Sequence, residues 1–160
     1  MKHRPLLYLE TSIFGLYFDD EPRNAARREA VRTLFDQIDL GILSAVTSPV
    51  TADELAATAG PLRAKLLDLL EHVDELTLDE DEVRRLAASY LAEKIIPEDY
   101  SADARHVASA SVAGVGLLVT LNLKHLANEW AERRLNSVNL REGYPLVSIR
   151  TPEEALHYED

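Results

Sequence analysis

Leu6-Leu7-Tyr8-Leu9-Glu10-Thr11-Ser12 is an apolar run that ends in a carboxylate and two hydroxyl groups. Its four Leu and Tyr residues are too few for a core helix and predict a buried strand. In open parallel sheets, ligands bind in the crevice at the carboxyl ends of the strands. Glu10 is therefore either part of a functional site or a polar residue that only caps the end of the strand.

Apolar runs alternate with helical patterns along the rest of the chain. The further predicted strands are Ile42–Thr47, Leu76–Leu78, Gly116–Thr120 and Leu146–Ile149. Helices are predicted over Val31–Ile38, from Ser48-Pro49 to about Thr58, and over Leu62–Val73, Val83–Leu91, Ser101–Gly114 and Lys124–Arg141, with a short helix from Thr151-Pro152. This alternation indicates a parallel sheet covered on both faces. We predict a single α/β domain over residues 1–160.

Helix ends carry recognisable signals in this chain. Asp79 is expected to cap a helix and to form a capping box with Glu82. Ser101 is expected to cap the helix that ends at Gly114.

The composition limits the classes of protein to consider. The 160 residues include no cysteine, which excludes disulfides and thiolate metal sites and fits a reducing compartment. The first apolar run is too short for a secretory signal, and no run approaches the roughly 18 residues of a membrane span. We therefore expect a cytoplasmic protein without membrane association. The net charge of −11 argues against indiscriminate nucleic-acid binding but leaves a nucleic-acid substrate open, because charge acts locally in salt.

Four polar residues are predicted to meet at one edge of the sheet. Glu10 ends the first strand, and Glu54 lies in the helix after the second strand. Asp103 lies in the first turn of a later helix, and Asn122 follows the fourth strand. Each has a structural alternative: solvated surface for Glu54, a helix-dipole partner for Asp103, and a turn or N-cap residue for Asn122. Their shared location favours a functional site.

Three carboxylates at one sheet edge predict a bound cation. At about 5 Å and an effective dielectric constant of about 20, one pair of like charges costs about 3 kcal/mol. A hard divalent cation relieves this repulsion, and oxygen ligands select Mg²⁺ or Mn²⁺. Since Mg²⁺ commonly shares its coordination shell with substrate phosphate, the chemistry indicated is metal-assisted phosphodiester cleavage.

Three segments resemble the motifs of PIN-domain nucleases. They are Tyr8–Ser12, Asp103–Ala108 and Val119–Leu126, and they are most similar to the VapC-like branch, which includes toxin ribonucleases of bacterial toxin–antitoxin pairs. The resemblance covers most of the chain. It implies one PIN-like domain with a parallel sheet of about five strands between helices, and an Mg²⁺- or Mn²⁺-dependent endoribonuclease. RNA is then the substrate, a homodimer is expected, and a small antitoxin is a possible partner.

The resemblance assigns roles to the four polar residues. Glu10 stands where the family usually has Asp, while Glu54 and Asp103 match the second and third acids. Asn122 stands where many members carry a fourth acid, so it supplies an amide oxygen without charge. All four are expected to be catalytic residues and metal ligands.

The same motifs contain candidate positioning residues. Thr11, Ser12 and Thr120 match hydroxyl positions that orient ligands or water. Lys124 is expected either to contact phosphate or to be an ordinary surface lysine. His106, one helical turn beyond the third acid, is interpreted as a packed or capping histidine, with a catalytic role as the alternative.

A protein of another class is the main alternative to an active ribonuclease. Glu in place of Asp at position 10, Asn in place of an acid at position 122, and the net charge of −11 would also suit a PIN-fold binding or regulatory module. A structure-specific DNA nuclease is a third hypothesis, disfavoured because the chain leaves no room for elements that clamp a duplex.

Overall fold

A single parallel sheet organises the molecule. The computed structural model describes residues 4–158. Its strands are β1 (Leu7–Leu9), β2 (Ala45–Thr47), β3 (Asp74–Glu75), β4 (Leu117–Val119) and β5 (Ser148–Arg150). They pair in the order β3-β2-β1-β4-β5, and every pair is parallel. The predicted α/β class and the expected number of strands are confirmed, with β1 at the centre.

Helices connect the strands and cover the sheet. They are α1 (Thr11–Tyr17), α2 (Ala25–Asp39), α3 (Pro49–Ala56), α4 (Leu62–Leu70), α5 (Glu80–Ala92), α6 (Ser101–Ala113), α7 (Glu129–Glu142) and α8 (Pro152–Leu156). Short 3₁₀ turns precede α2 and α6, at Pro22–Asn24 and Glu98–Tyr100. Within residues 4–158, no helix combines the length and apolarity needed to cross a membrane.

Alternate residues of the strands build a hydrophobic core on each face of the sheet. Tyr8 and Leu118 point to the face covered by α5, α6 and α7. Leu7, Leu9 and Leu117 point to the opposite face, against α1, α2, α4 and α8. Because both faces are buried, the strands appear in the sequence as continuous apolar runs.

The helix α1 was not predicted, although it sets the position of Glu10. Glu10 is its N-cap, and the Glu10 carboxylate accepts a hydrogen bond from Ser12 N at 3.1 Å. Glutamate is a weak N-cap signal, and a helix of seven residues is too short to show a clear amphipathic pattern. Glu10 therefore caps α1, as the structural alternative predicted, and it also lies at the predicted edge of the sheet.

Two predicted strands are displaced in the structure. The third lies at Asp74–Glu75, before the predicted Leu76–Leu78, because backbone pairing with Val46 and Thr47 sets its position. The side chains of Leu76 and Leu78 then pack against the core after the strand has ended. The fifth strand occupies Ser148–Arg150, two residues beyond the predicted start.

Several helix ends also differ from the prediction. Asp79 caps α5 as expected, but the Glu82 carboxylate accepts from Tyr144 Oη and does not close a capping box. Ser101 is the first residue of α6 and does not cap it. The helix predicted from Lys124 begins only at Glu129, because Asn128 caps it through a 2.8 Å bond to Ala131 N.

Candidate active site

The carboxyl ends of β1 and β4 form a polar pocket around Glu10. Glu10 is 7% exposed, and its carboxylate accepts three hydrogen bonds. Oε1 accepts from Thr120 Oγ1 at 2.6 Å and from Ser12 Oγ, and Oε2 accepts from Ser12 N. Ser12 Oγ also accepts from Leu121 N at 3.1 Å, which ties α1 to the end of β4. Ser12 and Thr120, two of the three predicted hydroxyl residues, therefore fix this carboxylate in place, whereas Thr11 contacts Glu54.

Asp103 lies on α6 beside this pocket. Its Oδ2 accepts from Asn122 Nδ2 at 2.9 Å and contacts His125 Nδ1 at 3.2 Å. Burial raises the pKa of Asp103, the His125 contact opposes that shift, and the charge of Glu10 raises the pKa further, so the net shift is upward. Burial is the main cause of this shift, and the Glu10 charge adds to it; a cation beside the two carboxylates would oppose both effects.

Asn122 connects the two carboxylates. Its backbone N donates to Thr120 Oγ1 at 3.0 Å, and its amide nitrogen donates to Asp103. Its amide oxygen accepts from His125 N at 2.9 Å, and because a backbone N–H needs an acceptor, this contact fixes the orientation of the amide. Asn122 is here a turn residue that supports Asp103, and the contact with His125 N uses one of the two lone pairs of its amide oxygen.

Glu54 reaches the pocket from α3, on the more exposed side. Its side chain is 39% exposed. Oε1 accepts from Thr11 Oγ1 at 2.7 Å and from His106 Nε2 at 2.7 Å. Burial alone would raise the pKa of Glu54, but the hydrogen bonds from His106 and Thr11 outweigh it and lower the pKa. Glu54 is therefore ionised at neutral pH.

His106 lies between the pocket and the core. It is completely buried, as expected for a packed histidine. Its Nε2 contacts Glu54 and lies 4.0 Å from Glu10 Oε2, while its Nδ1 lies 2.7 Å from Tyr8 Oη. Tyr8 and Ser48 were not predicted to belong to the site, although Tyr8 Oη lies 2.6 Å from Ser48 Oγ. A tyrosine inside a buried strand must find a polar partner, and that was the available signal.

Lys124 is exposed in the turn between β4 and α7. In the part of the chain that the structure describes, its ammonium group forms no hydrogen bond or ion pair. A phosphate contact by Lys124 stays a prediction. His125, its neighbour, was not predicted as a site residue, but it contacts Asp103 and packs against the Tyr100 ring with centroids 4.3 Å apart.

The donor atoms fit a divalent cation held by few protein ligands. Among residues 4–158, no group of three or more carboxylate, imidazole or thiolate side chains is arranged to hold a metal ion. Mg²⁺, however, commonly takes one or two carboxylates and completes its shell with water and substrate phosphate. Glu10 and Asp103, which interact through their charges, would be such a pair. Asp103 Oδ1 and Glu54 Oε2 have no hydrogen bond within the described residues. The oxygen-only chemistry fits Mg²⁺ or Mn²⁺ and does not fit a closed zinc site.

Comparison with known proteins identifies the fold. No protein-family model matches the sequence, and no curated protein matches it. The protein superposes with a TM-score of 0.54 on a chain from the crystal structure of VapBC2 from Rickettsia felis. In that crystal structure VapBC2 is bound to a DNA fragment from the VapBC2 promoter. The fold is PIN-like. The match covers 91% of this chain and 98% of the other at 14% identity, so the likeness concerns the fold alone.

Proposed function

We propose that this protein is a metal-dependent endoribonuclease that hydrolyses RNA phosphodiester bonds. The observation that carries the proposal is the hydrogen-bonded network that brings Glu10, Glu54 and Asp103 to the carboxyl edge of a PIN-like sheet. Burial, and to a smaller extent the charge of Glu10, raises the pKa of Asp103, and a divalent cation bound there would favour the ionised carboxylate.

Each side chain has a distinct part in the proposed reaction. Glu10 and Asp103 would hold Mg²⁺ or Mn²⁺, which when bound supplies charge neutralisation for the phosphate and activation of water. Glu54 is ionised and partly exposed, so it would accept a hydrogen bond from the attacking water and orient it. Thr120 and Ser12 keep Glu10 fixed, while Asn122 and His125 do the same for Asp103.

The biological setting proposed is that of a toxin of the VapC-like type in the cytoplasm. A small antitoxin is the proposed protein partner, supported by the PIN-like fold and by the structural likeness to VapBC2. The proposed assembly is a homodimer, which rests on the family resemblance.

A binding or regulatory module is the second candidate. It is favoured by the orientation of Asn122, whose amide oxygen faces His125 N, and by the lack of a three-ligand cluster in residues 4–158. Such a module would bind a metal or RNA without cleaving it.

Cleavage of a mixed RNA pool tests the proposal. The protein is incubated with Mn²⁺, with Mg²⁺ or with chelator, beside the double variant Glu10→Gln/Asp103→Asn. Asp53→Asn is the matched control, because Asp53 is exposed on the same helix as Glu54. We expect metal-dependent cleavage by the wild type and the control, and none by the double variant. Cleavage that persists in chelator or in the double variant would refute the proposal, and binding without cleavage would favour the module.

A further inference from the structure

The buried imidazole of His106 joins the core to the candidate site. On the core side, its Nδ1 lies 2.7 Å from Tyr8 Oη, and both side chains are fully buried. On the site side, its Nε2 lies 2.7 Å from Glu54 Oε1 and 3.2 Å from Thr11 Oγ1. An apolar residue would fill the same space, so packing alone does not explain these polar contacts.

The direction of the hydrogen bonds follows from the chemistry of the partners. An ionised carboxylate only accepts, so His106 Nε2 carries a hydrogen and donates to Glu54. In the neutral imidazole Nδ1 is then an acceptor, and Tyr8 Oη donates to it. Ser48 Oγ donates in turn to Tyr8 Oη and accepts from Val50 N at 3.2 Å. In this series of hydrogen bonds, from Ser48 through Tyr8 and His106 to Glu54, each donor therefore faces an acceptor.

The chain of hydrogen bonds ends on the most exposed of the site's carboxylates. Glu54 has a flexible side chain that is 39% exposed, so solvent alone would leave its orientation free. The His106 N–H is fixed, because the core holds the imidazole by its other nitrogen. His106 Nε2 also lies 4.0 Å from Glu10 Oε2, so one N–H faces both carboxylates and reduces their repulsion.

We propose that His106 is a positioning residue that fixes the Glu54 carboxylate at the mouth of the site and leaves Glu54 Oε2 free for the metal or its water. This inference rests on the proposed function for its consequence in catalysis. Its structural part, the coupling between His106 and Glu54, does not need the metal. Residues that orient ligands in this way commonly change metal affinity by about ten- to a hundredfold when they are replaced.

Two conservative variants separate positioning from packing. His106→Gln can place an amide N–H near the position of Nε2, whereas His106→Asn keeps a polar group only near Nδ1. Calorimetry on the full chain measures Mn²⁺ affinity for both, and circular dichroism confirms that they fold. We expect His106→Asn to weaken Mn²⁺ binding by about ten- to a hundredfold, and His106→Gln to recover most of the loss.

Ser111→Ala is the matched control. Ser111 is buried on the same helix but contacts Tyr90 and Asn139 on the far side of the core. Ser111→Ala should lower the melting temperature without changing Mn²⁺ affinity. Equal Mn²⁺ affinity in the wild type and His106→Asn, or equal losses in His106→Asn and His106→Gln, would overturn the positioning role.

A metal-free measurement distinguishes this inference from the proposed function. In chelator, the melting-temperature losses of His106→Asn and Glu54→Ala should not add in the double variant, because each removes the contact between His106 Nε2 and the Glu54 carboxylate. If the wild-type protein binds no Mn²⁺ but shows this coupling, the proposed function is refuted and the positioning role is retained. Additive losses would remove the positioning role, whatever the metal does.

Discussion

Removal of one buried hydroxyl group should destabilise the protein measurably. Tyr8 Oη lies 2.6 Å from Ser48 Oγ and 2.7 Å from His106 Nδ1, and all three side chains are fully buried. Tyr8→Phe keeps the ring in the core but leaves His106 Nδ1 without a partner. Ser48 Oγ keeps only its contact with Val50 N. A buried polar group that loses its partner costs about 1–3 kcal/mol.

We therefore expect Tyr8→Phe to lower the free energy of unfolding by about 2–3 kcal/mol, since the loss is larger at His106 than at Ser48. For a domain of this size, about 1 kcal/mol corresponds to about 2–4 °C, so the melting temperature should fall by about 4–12 °C. The assay is thermal unfolding in chelator, which removes any contribution from bound metal. A melting temperature within about 1 °C of the wild type would show that the hydroxyl group does not hold His106 in place.

Tyr90→Phe is the matched control for this measurement. Tyr90 is also fully buried, and its hydroxyl group contacts Ser111 and Asn139, away from the site. The control should lose a similar amount of stability. Tyr8→Phe should also weaken Mn²⁺ binding and RNA cleavage and Tyr90→Phe should not, because Tyr8 contacts His106 and Tyr90 does not.

Four further outcomes are expected. Mn²⁺ at about a hundredfold excess over its Kd should stabilise the wild type by about 2.7 kcal/mol and Asp103→Asn much less, and equal shifts in thermal unfolding would place the metal elsewhere. Asn122→Asp should bind Mn²⁺ more tightly than the wild type and Asn122→Ala more weakly, whereas equal affinities by calorimetry would leave Asn122 outside the site. Light scattering should give the mass of a homodimer, and a monomeric mass would contradict this. The hydrogen bond from Thr151 N lowers the pKa of Glu154 below its ordinary value of 4.5, so its stabilising effect is complete above that pH and is lost as pH falls through the lowered pKa. The melting temperatures of the wild type and Glu154→Gln should differ at neutral pH and converge on acidification, and a difference that persists in acid would exclude this cause.

The fold could be predicted where local signals agree with the final packing. Ser48 followed by Pro49 begins α3 as expected, and Gly114, with φ of 71°, ends α6. The strand β3 could not be located in the same way, because its two exposed acidic residues are selected by pairing with β2 and not by their own pattern. A long-range hydrogen-bond register has no local signature in the sequence.

The same limit applies to the candidate site. Glu10 and Asp103 could be placed because the ends of parallel strands and the helices that follow them share one edge of the sheet. Tyr8 and His106 are 98 positions apart in the sequence, so their contact has no local signal. Periodicity alone therefore indicates only that Tyr8 belongs to an apolar strand.

The direct passage from β1 into α1 restricts which residues evolution can accept at position 10. In the proposed site Glu10 supplies a negative charge beside Asp103, and the same carboxylate accepts a hydrogen bond from Ser12 N in the first turn of α1. Serine or asparagine would cap the helix without the charge, and a basic residue would do neither. Only the acidic side chains meet both demands. We therefore expect related sequences to have Asp or Glu at this position, so that only the length of the acidic side chain varies.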